Sequence, residues 1–189
     1  ITISNCKFIR ISGKGGEGYI FTSNGNNNIQ ATMNNCEFID CGSLSNNSFP
    51  LITILNRISS ITLNECNFTF NDLSRNFRVL DIRTNDVNVN GCRFYQCGNN
   101  TLYLAKDSSE NNPQGTFRFT NNYVSSNEGT FINGMKLRNQ PIIENNIIED
   151  ITLHNDYMIS IIHDQTEIIF TNNTFSNITM EGDMNSDCG

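Results

Sequence analysis

The chain has 189 residues and carries 12 lysines and arginines against 19 aspartates and glutamates, a formal net charge of −7. This acidic balance argues against nucleic acid as a partner, because binders of nucleic acid need a basic face to displace counterions from phosphates. Apolar runs stay well below the roughly 20 residues of a membrane span, so no span is expected. With 33 Asn and 24 Ile but only two Ala and no Trp, the composition excludes a helical bundle and favours strands joined by turns.

A six-residue pattern recurs along the chain, with an apolar residue first, Asn usually third, Cys or Asn fourth and usually Phe sixth. Its seven copies are residues 3–8, 33–38, 63–68, 89–94, 119–124, 143–148 and 170–175. The fourth positions are 30, 30, 26, 30, 24 and 27 residues apart. Such a regular period is the signature of a repeat architecture in which each repeat stacks on the next.

Short apolar runs between these copies predict a further strand in each repeat. They include residues 51–55, 78–82, 101–104 and 157–162, and they are rich in β-branched residues. Polar connections such as 42–49 and 105–114 predict loops of variable length. Three short strands in about 27 residues with no intervening helix predict an all-β fold, a right-handed parallel β-helix of about seven coils.

The predicted β-helix covers residues 1–180 as a single domain, and residues 181–189 form an acidic tail or linker. We expect this domain to be part of a longer repeat protein.

The repeat resembles the coils of the pectin-lyase-like β-helix superfold. The chain also contains four Phe-x-x-Asn motifs, which are similar to polymorphic-membrane-protein-like surface repeats of bacteria and some protozoa. These motifs are Phe21 to Asn24, Phe68 to Asn71, Phe119 to Asn122 and Phe170 to Asn173. The resemblance covers nearly the whole chain and implies a β-helix exposed at a cell surface.

The repeated Asn residues are interpreted as a turn device that also forms a ladder along the coil axis. Asn tolerates positive φ, and its amide can satisfy the amide of the next coil. The predicted Asn ladder consists of Asn5, Asn35, Asn121, Asn122, Asn145, Asn146, Asn172 and Asn173. The sixth positions are predicted to form an inward core stack of Phe8, Phe38, Phe68, Phe94, Val124, Ile148 and Phe175.

Four of the seven cysteines occupy the fourth repeat position and are predicted to form one column: Cys6, Cys36, Cys66 and Cys92. Parallel side chains in neighbouring coils do not present the Cβ geometry of a disulfide, so free buried thiols are expected. An intermolecular bridge through Cys188 remains an alternative. A column spreads thiols along an axis instead of gathering four ligands, so no metal or cofactor is assigned.

Three functions fit these patterns. The leading hypothesis is a non-catalytic segment of a surface or secreted protein that serves adhesion or display, with a glycan or a cell-surface protein as partner. The alternative is a carbohydrate-active enzyme, a polysaccharide lyase or glycoside hydrolase, with Asp81 and Arg83 as an outward pair; no catalytic residue is assigned. A second alternative is an intracellular structural scaffold, which free thiols favour.

Overall fold

A computed structural model describes twelve segments of the chain. They are residues 1–11, 20–23, 28–42, 50–54, 59–71, 79–82, 86–98, 101–105, 116–137, 140–154, 157–163 and 167–182. All regular structure within these segments is β-strand, and every ladder between the strands is parallel.

Twenty strands in the described segments form three parallel sheets. The first two sheets take one strand from each of seven coils, and the third takes one strand from each of six. The first sheet contains, in spatial order, β1 (Thr2–Ser4), β4 (Gln30–Asn34), β7 (Ser60–Asn64), β10 (Asp86–Asn90), β13 (Phe117–Thr120), β16 (Ile142–Glu144) and β19 (Ile169–Thr171). The second contains β2 (Lys7–Ile9), β5 (Glu37–Ile39), β8 (Asn67–Thr69), β11 (Arg93–Tyr95), β14 (Tyr123–Ser125), β17 (Ile147–His154) and β20 (Thr174–Glu181). The third contains β3 (Phe21–Ser23), β6 (Ile52–Ile54), β9 (Leu80–Ile82), β12 (Leu102–Ala105), β15 (Ile132–Leu137) and β18 (Ile159–His163).

This order is that of a parallel β-helix, which confirms the predicted fold class and the three strands per coil. Each strand pairs with its counterparts in the preceding and following coils and not with its neighbours in sequence. We number the coils one to seven by the sequence repeat that each contains.

The strand register brings equivalent repeat positions into contact. Phe38 pairs with Phe8 in the coil before and with Phe68 in the coil after, and Leu63 pairs with Met33 and Val89 in the same way. Because side chains alternate across a strand, the apolar positions of all three sheets point inward. They form one core that runs along the axis of the solenoid.

The strands of coils six and seven are longer in the second sheet than the repeat predicts. Both β17 and β20 run for eight residues, and they remain paired as far as His154 and Glu181. The predicted tail at 181–189 falls mainly on residues 183–189, which lie outside the described residues, as do most of the predicted loops at 42–49 and 105–114. In the described segments, no helix is long and apolar enough to cross a membrane.

Candidate functional site

The fourth repeat position forms a buried column that changes from Cys to Asn along the axis. Asn122 and Asn146 are almost fully buried, and their side chains are linked by a hydrogen bond from Asn122 Nδ2 to Asn146 Oδ1 of 3.1 Å. Asn146 Nδ2 donates in turn to Asn173 Oδ1 at 2.8 Å. Three of the predicted ladder amides therefore satisfy one another from coil to coil.

These amides also bond the backbone on both sides. Asn146 Oδ1 accepts the Asn122 amide N–H at 2.9 Å, and Asn146 Nδ2 donates to the Phe119 carbonyl at 2.9 Å. Each buried Asn thus forms hydrogen bonds with backbone groups at the turn between two coils, where these groups have no strand partner. Buried polar groups of this kind cost free energy when they are left unbonded.

The cysteine part of the column makes the same contacts with sulfur. The Cys66 amide N–H donates to Cys92 Sγ at 3.4 Å, and the Cys92 thiol donates to the Leu63 carbonyl at 3.5 Å. At the junction, the Cys92 amide donates to Asn122 Oδ1 at 2.8 Å. Cys and Asn are interchangeable here because each supplies one acceptor and at least one donor in a small volume.

The third repeat position is where the chain turns between the first two sheets. All seven residues there have φ between 50° and 65°: Asn5, Asn35, Glu65, Gly91, Asn121, Asn145 and Asn172. This left-handed conformation is the one that Asn and Gly adopt most readily. The side chains of the first two coils are linked, since Asn35 Nδ2 donates to Asn5 Oδ1 at 2.9 Å. Asn121 Nδ2 instead donates to Asn90 Oδ1 at 2.8 Å. In the described coils no hydrogen bond links Asn121, Asn145 and Asn172 to one another.

A second set of left-handed residues, which the sequence analysis did not identify, forms the corner five residues further along the repeat. They are Arg10, Asp40, Gln96, Ser126, Asp150 and Asn177. Only Asp occurs twice among them, so the sequence carries no strong compositional signal of this turn. Cys41 and Cys97 follow this corner and extend inward, where the Cys97 amide donates to Asn127 Oδ1 at 2.6 Å.

The sixth repeat position stacks aromatic rings through the first four coils. Ring centroids are 5.0 Å apart for Phe8 and Phe38, 4.7 Å for Phe38 and Phe68, and 5.1 Å for Phe68 and Phe94. The column continues with the buried residues Val124 and Ile148.

Phe175 departs from the predicted inward burial. It is paired with Ile148 in register, but its side chain is 37% exposed. The reason is its place in coil seven, which among the described residues has a neighbouring coil on one side only. There Phe175 stacks on Phe170 at 5.6 Å.

Six described cysteines are free thiols: Cys6, Cys36, Cys41, Cys66, Cys92 and Cys97. Burial raises the pKa of Cys36 and Cys41 and raises that of Cys97 well above its ordinary value. The hydrogen bond with Cys92 lowers the pKa of Cys66 to about 7, and the same contact together with burial raises the pKa of Cys92. Cys188 lies outside the described residues.

The outer face of the second sheet carries a groove around Arg93. Two adjoining depressions, of about 380 and 480 Å³, share Arg93 and Tyr123. The first is lined by Glu37, Ile39, Asn67, Thr69, Arg93, Tyr95 and Tyr123, and we call it the Arg93 groove. The second continues over the turn to Asn121, Asn145 and Ile147.

The acidic side chains at this groove are engaged, whereas its arginine is open. Glu37 forms an ion pair with Lys7 at 2.7 Å, and Glu149 accepts hydrogen bonds from Tyr123 Oη and, at 3.5 Å, from Ser176 Oγ. The bond to Glu149 raises the pKa of Tyr123, since a carboxylate acceptor favours the protonated phenol. The exposed Arg93 guanidinium forms no hydrogen bond or ion pair with any residue that the structure describes.

This groove was not predicted from the sequence. Its residues differ from coil to coil, so they lie outside the repeat pattern. The only sequence signal is alternation, since Arg93 and Tyr95 flank the inward Phe94 and must both face outward.

The other candidate sites from the sequence analysis have less structural support. Asp81 is half-buried in β9, and its proposed partner Arg83 lies outside the described residues. Within the described segments no three Cys, His, Asp or Glu side chains are grouped as they would be around a metal ion.

No protein-family model matches the chain, and no curated protein or solved structure shows significant similarity to it.

Proposed function

We propose that this chain is a non-catalytic β-helical segment of a surface or secreted protein, and that it presents its outer sheet faces for adhesion. One observation supports this proposal most directly: in the second sheet the inward positions of successive coils are all apolar and mostly Phe, whereas the outward positions beside them vary. Stability and recognition are therefore carried by separate sets of side chains.

The second sheet illustrates this separation in two adjacent columns. Its central inward column reads Phe8, Phe38, Phe68, Phe94, Val124, Ile148 and Phe175. The outward column one residue earlier reads Lys7, Glu37, Asn67, Arg93, Tyr123, Ile147 and Thr174. Every inward member is apolar, but no two outward members are the same residue.

The repeated polar residues are also committed to structure. The Asn and Cys side chains of the fourth position bond one coil to the next, and the third-position residues provide the left-handed turn. Outward substitutions leave these contacts intact, so the outer face can diversify without loss of the fold. Repeat solenoids use such extended faces for binding.

The resemblance to polymorphic-membrane-protein-like surface repeats supports the same proposal. It suggests a location outside the cell or at its surface, with a glycan or a cell-surface protein as partner.

Beads coated with the purified chain test adhesion directly. The binding of these beads to cultured cells is compared with that of beads coated with two variants. The triple variant Arg93→Thr/Tyr95→Thr/Tyr123→Thr lacks the groove side chains, and the variant Arg118→Thr is changed on the first sheet only. We expect the parent and the Arg118→Thr chains to bind cells and the triple variant to bind weakly. Unchanged circular dichroism of each variant shows that the fold is kept.

Failure of the parent chain to bind cells above uncoated beads would contradict the proposal. Release of reducing ends or unsaturated products from polysaccharides by the parent chain would contradict it too, and would favour the carbohydrate-active enzyme. Antibody labelling of intact cells that produce the protein tests its location, and labelling only after permeabilisation would favour the intracellular scaffold.

A further inference from the structure

We infer that the Arg93 groove binds a glycan that ends in a sialic acid, with the sugar carboxylate on Arg93 and the sugar ring against Tyr95. This inference deepens the proposed adhesive function and rests on it. It follows from four properties of the groove: an open cation, an exposed aromatic ring, nearby neutral polar groups and an acidic surrounding.

The open cation defines the charge of the ligand. Arg93 is exposed in β11 with Asn67 and Tyr123 as its register neighbours, and neither of them carries a charge that could neutralise it. Glu37, the carboxylate among the lining residues, is paired with Lys7, and the Glu149 carboxylate accepts a hydrogen bond from Tyr123 Oη. An arginine fork without an acidic partner is suited to bidentate binding of a ligand carboxylate.

The aromatic ring lies beside this cation on the same face. Tyr95 is 41% exposed and is separated from Arg93 only by the inward Phe94. Because the two residues are two positions apart in an extended strand, their Cα atoms lie about 6.6 Å apart. A carboxylate held by Arg93 therefore leaves the adjoining sugar ring or acetamido methyl group against the apolar face of Tyr95.

Neutral polar groups surround this pair. Asn67 and Thr69 line the groove in the preceding coil, and the Tyr123 hydroxyl lies in the following coil. Amide and hydroxyl groups can pair with the hydroxyl and acetamide groups of a sugar. The depression of about 380 Å³ has the size of a pocket for one or two sugar units.

The acidic surroundings favour a ligand with a single negative charge. Besides Arg93, the charged groups around the groove include Lys7, Glu37, Glu149, Asp150 and Glu65, which lies against Gly91 of the adjoining depression, and the whole chain has a net charge of −7. A polyanion would extend beyond Arg93 and meet these carboxylates, whereas a terminal acidic sugar would not. Sialic acid is the common terminal sugar with one carboxylate and an acetamide.

Titration of the ¹⁵N-labelled chain with 3′-sialyllactose tests the site, with lactose as the neutral control. We expect saturable shifts of the amides of β8, β11 and β14 with sialyllactose and none with lactose. Arg93→Gln should weaken binding about tenfold or more, because it removes a charge-assisted pair. Tyr95→Ala should weaken it, and Tyr95→Phe should retain it.

The matched control is Arg118→Gln, which removes an equally charged, exposed arginine from the first sheet. It should bind sialyllactose as the parent does. Each of three results would overturn the inference. They are equal weakening by Arg93→Gln and Arg118→Gln, binding of lactose equal to that of sialyllactose, and tighter binding of a hyaluronan hexasaccharide than of sialyllactose. An absence of shifts at saturating sialyllactose would overturn it too.

Sialidase treatment of the cells in the bead assay separates the two proposals. Loss of bead binding after treatment supports both. If the beads still bind after treatment and sialyllactose shifts no amides of the labelled chain, the sialic acid inference is overturned and the adhesive function is retained.

Discussion

At the residue scale, the fold depends on small side chains that can both donate and accept a hydrogen bond inside the turn between the first two sheets. Asn146 is fully buried and bonds four groups, the Asn122 amide N–H, the Asn122 side chain, the Phe119 carbonyl and Asn173 Oδ1. Apolar volume alone cannot replace it, because the loss of each buried partner costs free energy.

We expect Asn146→Leu, which keeps the volume but removes the polar atoms, to lower the free energy of unfolding by about 3–5 kcal/mol. Asn146→Cys should recover part of that loss, since the sulfur can accept from Asn122 and donate to Phe119, as Cys92 does two coils earlier with Cys66 and Leu63. The reverse change, Cys92→Asn, should fall within about 1 kcal/mol of the parent chain. Urea unfolding under reducing conditions measures all three, and an Asn146→Leu chain as stable as the parent would show that the ladder contributes nothing.

The buried thiols make stability depend on pH. Burial raises the pKa of Cys97 well above 9.0 in the folded state, while the unfolded thiol ionises near 9.0. Because the folded state then holds a proton that the unfolded state loses, the contribution of Cys97 is complete below pH 9.0 and falls as pH rises towards the folded pKa. The steepest slope for one group is about 1.4 kcal/mol per pH unit.

We therefore expect the free energy of unfolding to decline as the pH rises above 9.0, and we expect a less steep decline for the Cys97→Ala chain. Val79→Ala is the matched control, since it removes buried volume without a thiol and should keep the parent slope. Equal slopes for the parent and Cys97→Ala chains would contradict the assigned pKa shift.

At the element scale, the register of the second sheet was readable from the sequence because its inward residues repeat. The spacing of Phe8, Phe38, Phe68 and Phe94 fixes which strands pair, and the left-handed residue after each strand of the first sheet, which is usually Asn, fixes where the chain turns. The second corner was not readable, since a left-handed φ occurs there at residues as different as Arg10 and Gln96.

The candidate site was not readable for a related reason. The outward residues Arg93 and Tyr95 make no contact that must be repeated in the next coil, so the groove around them leaves no periodic trace. The extension of β17 and β20 to eight residues was missed as well. It depends on pairing between two coils, as at Leu153 and Met180, and not on a pattern within either one.

Substitutions within the aromatic stack should show how burial depends on the coil. Phe68→Ala should cost about 3–5 kcal/mol, as expected for a fully buried ring stacked on both sides. Phe175→Ala should cost less than about 1.5 kcal/mol, because that ring is 37% exposed and its strand pairs on one side only among the strands that the structure describes. Chemical unfolding of both variants provides the comparison, and equal costs would mean that the register assigned to the stack is wrong.

At the scale of the whole molecule, the solenoid is a one-dimensional array in which each coil contacts only its neighbours. The second sheet passes from β2 to β20 without a contact between distant coils, and the other two sheets follow the same order. In such an array the stability is a sum of terms from each coil and its two interfaces. A disturbance in one coil should therefore fade over the next few coils.

Native-state hydrogen exchange tests this locality. In the parent chain the amides of β8, in coil three, should exchange more slowly than those of β20, in coil seven. Among the described residues, opening coil three breaks two interfaces and opening coil seven breaks one. Phe175→Ala should accelerate exchange in β20 and in the neighbouring β17 and leave β8 unchanged. Peptides that cover residues 60–70, 147–154 and 174–181 report the three regions by mass spectrometry. If Phe175→Ala accelerated exchange in all three equally, the coils would unfold as one cooperative unit, and nearest-neighbour contacts alone would not describe the stability of this protein.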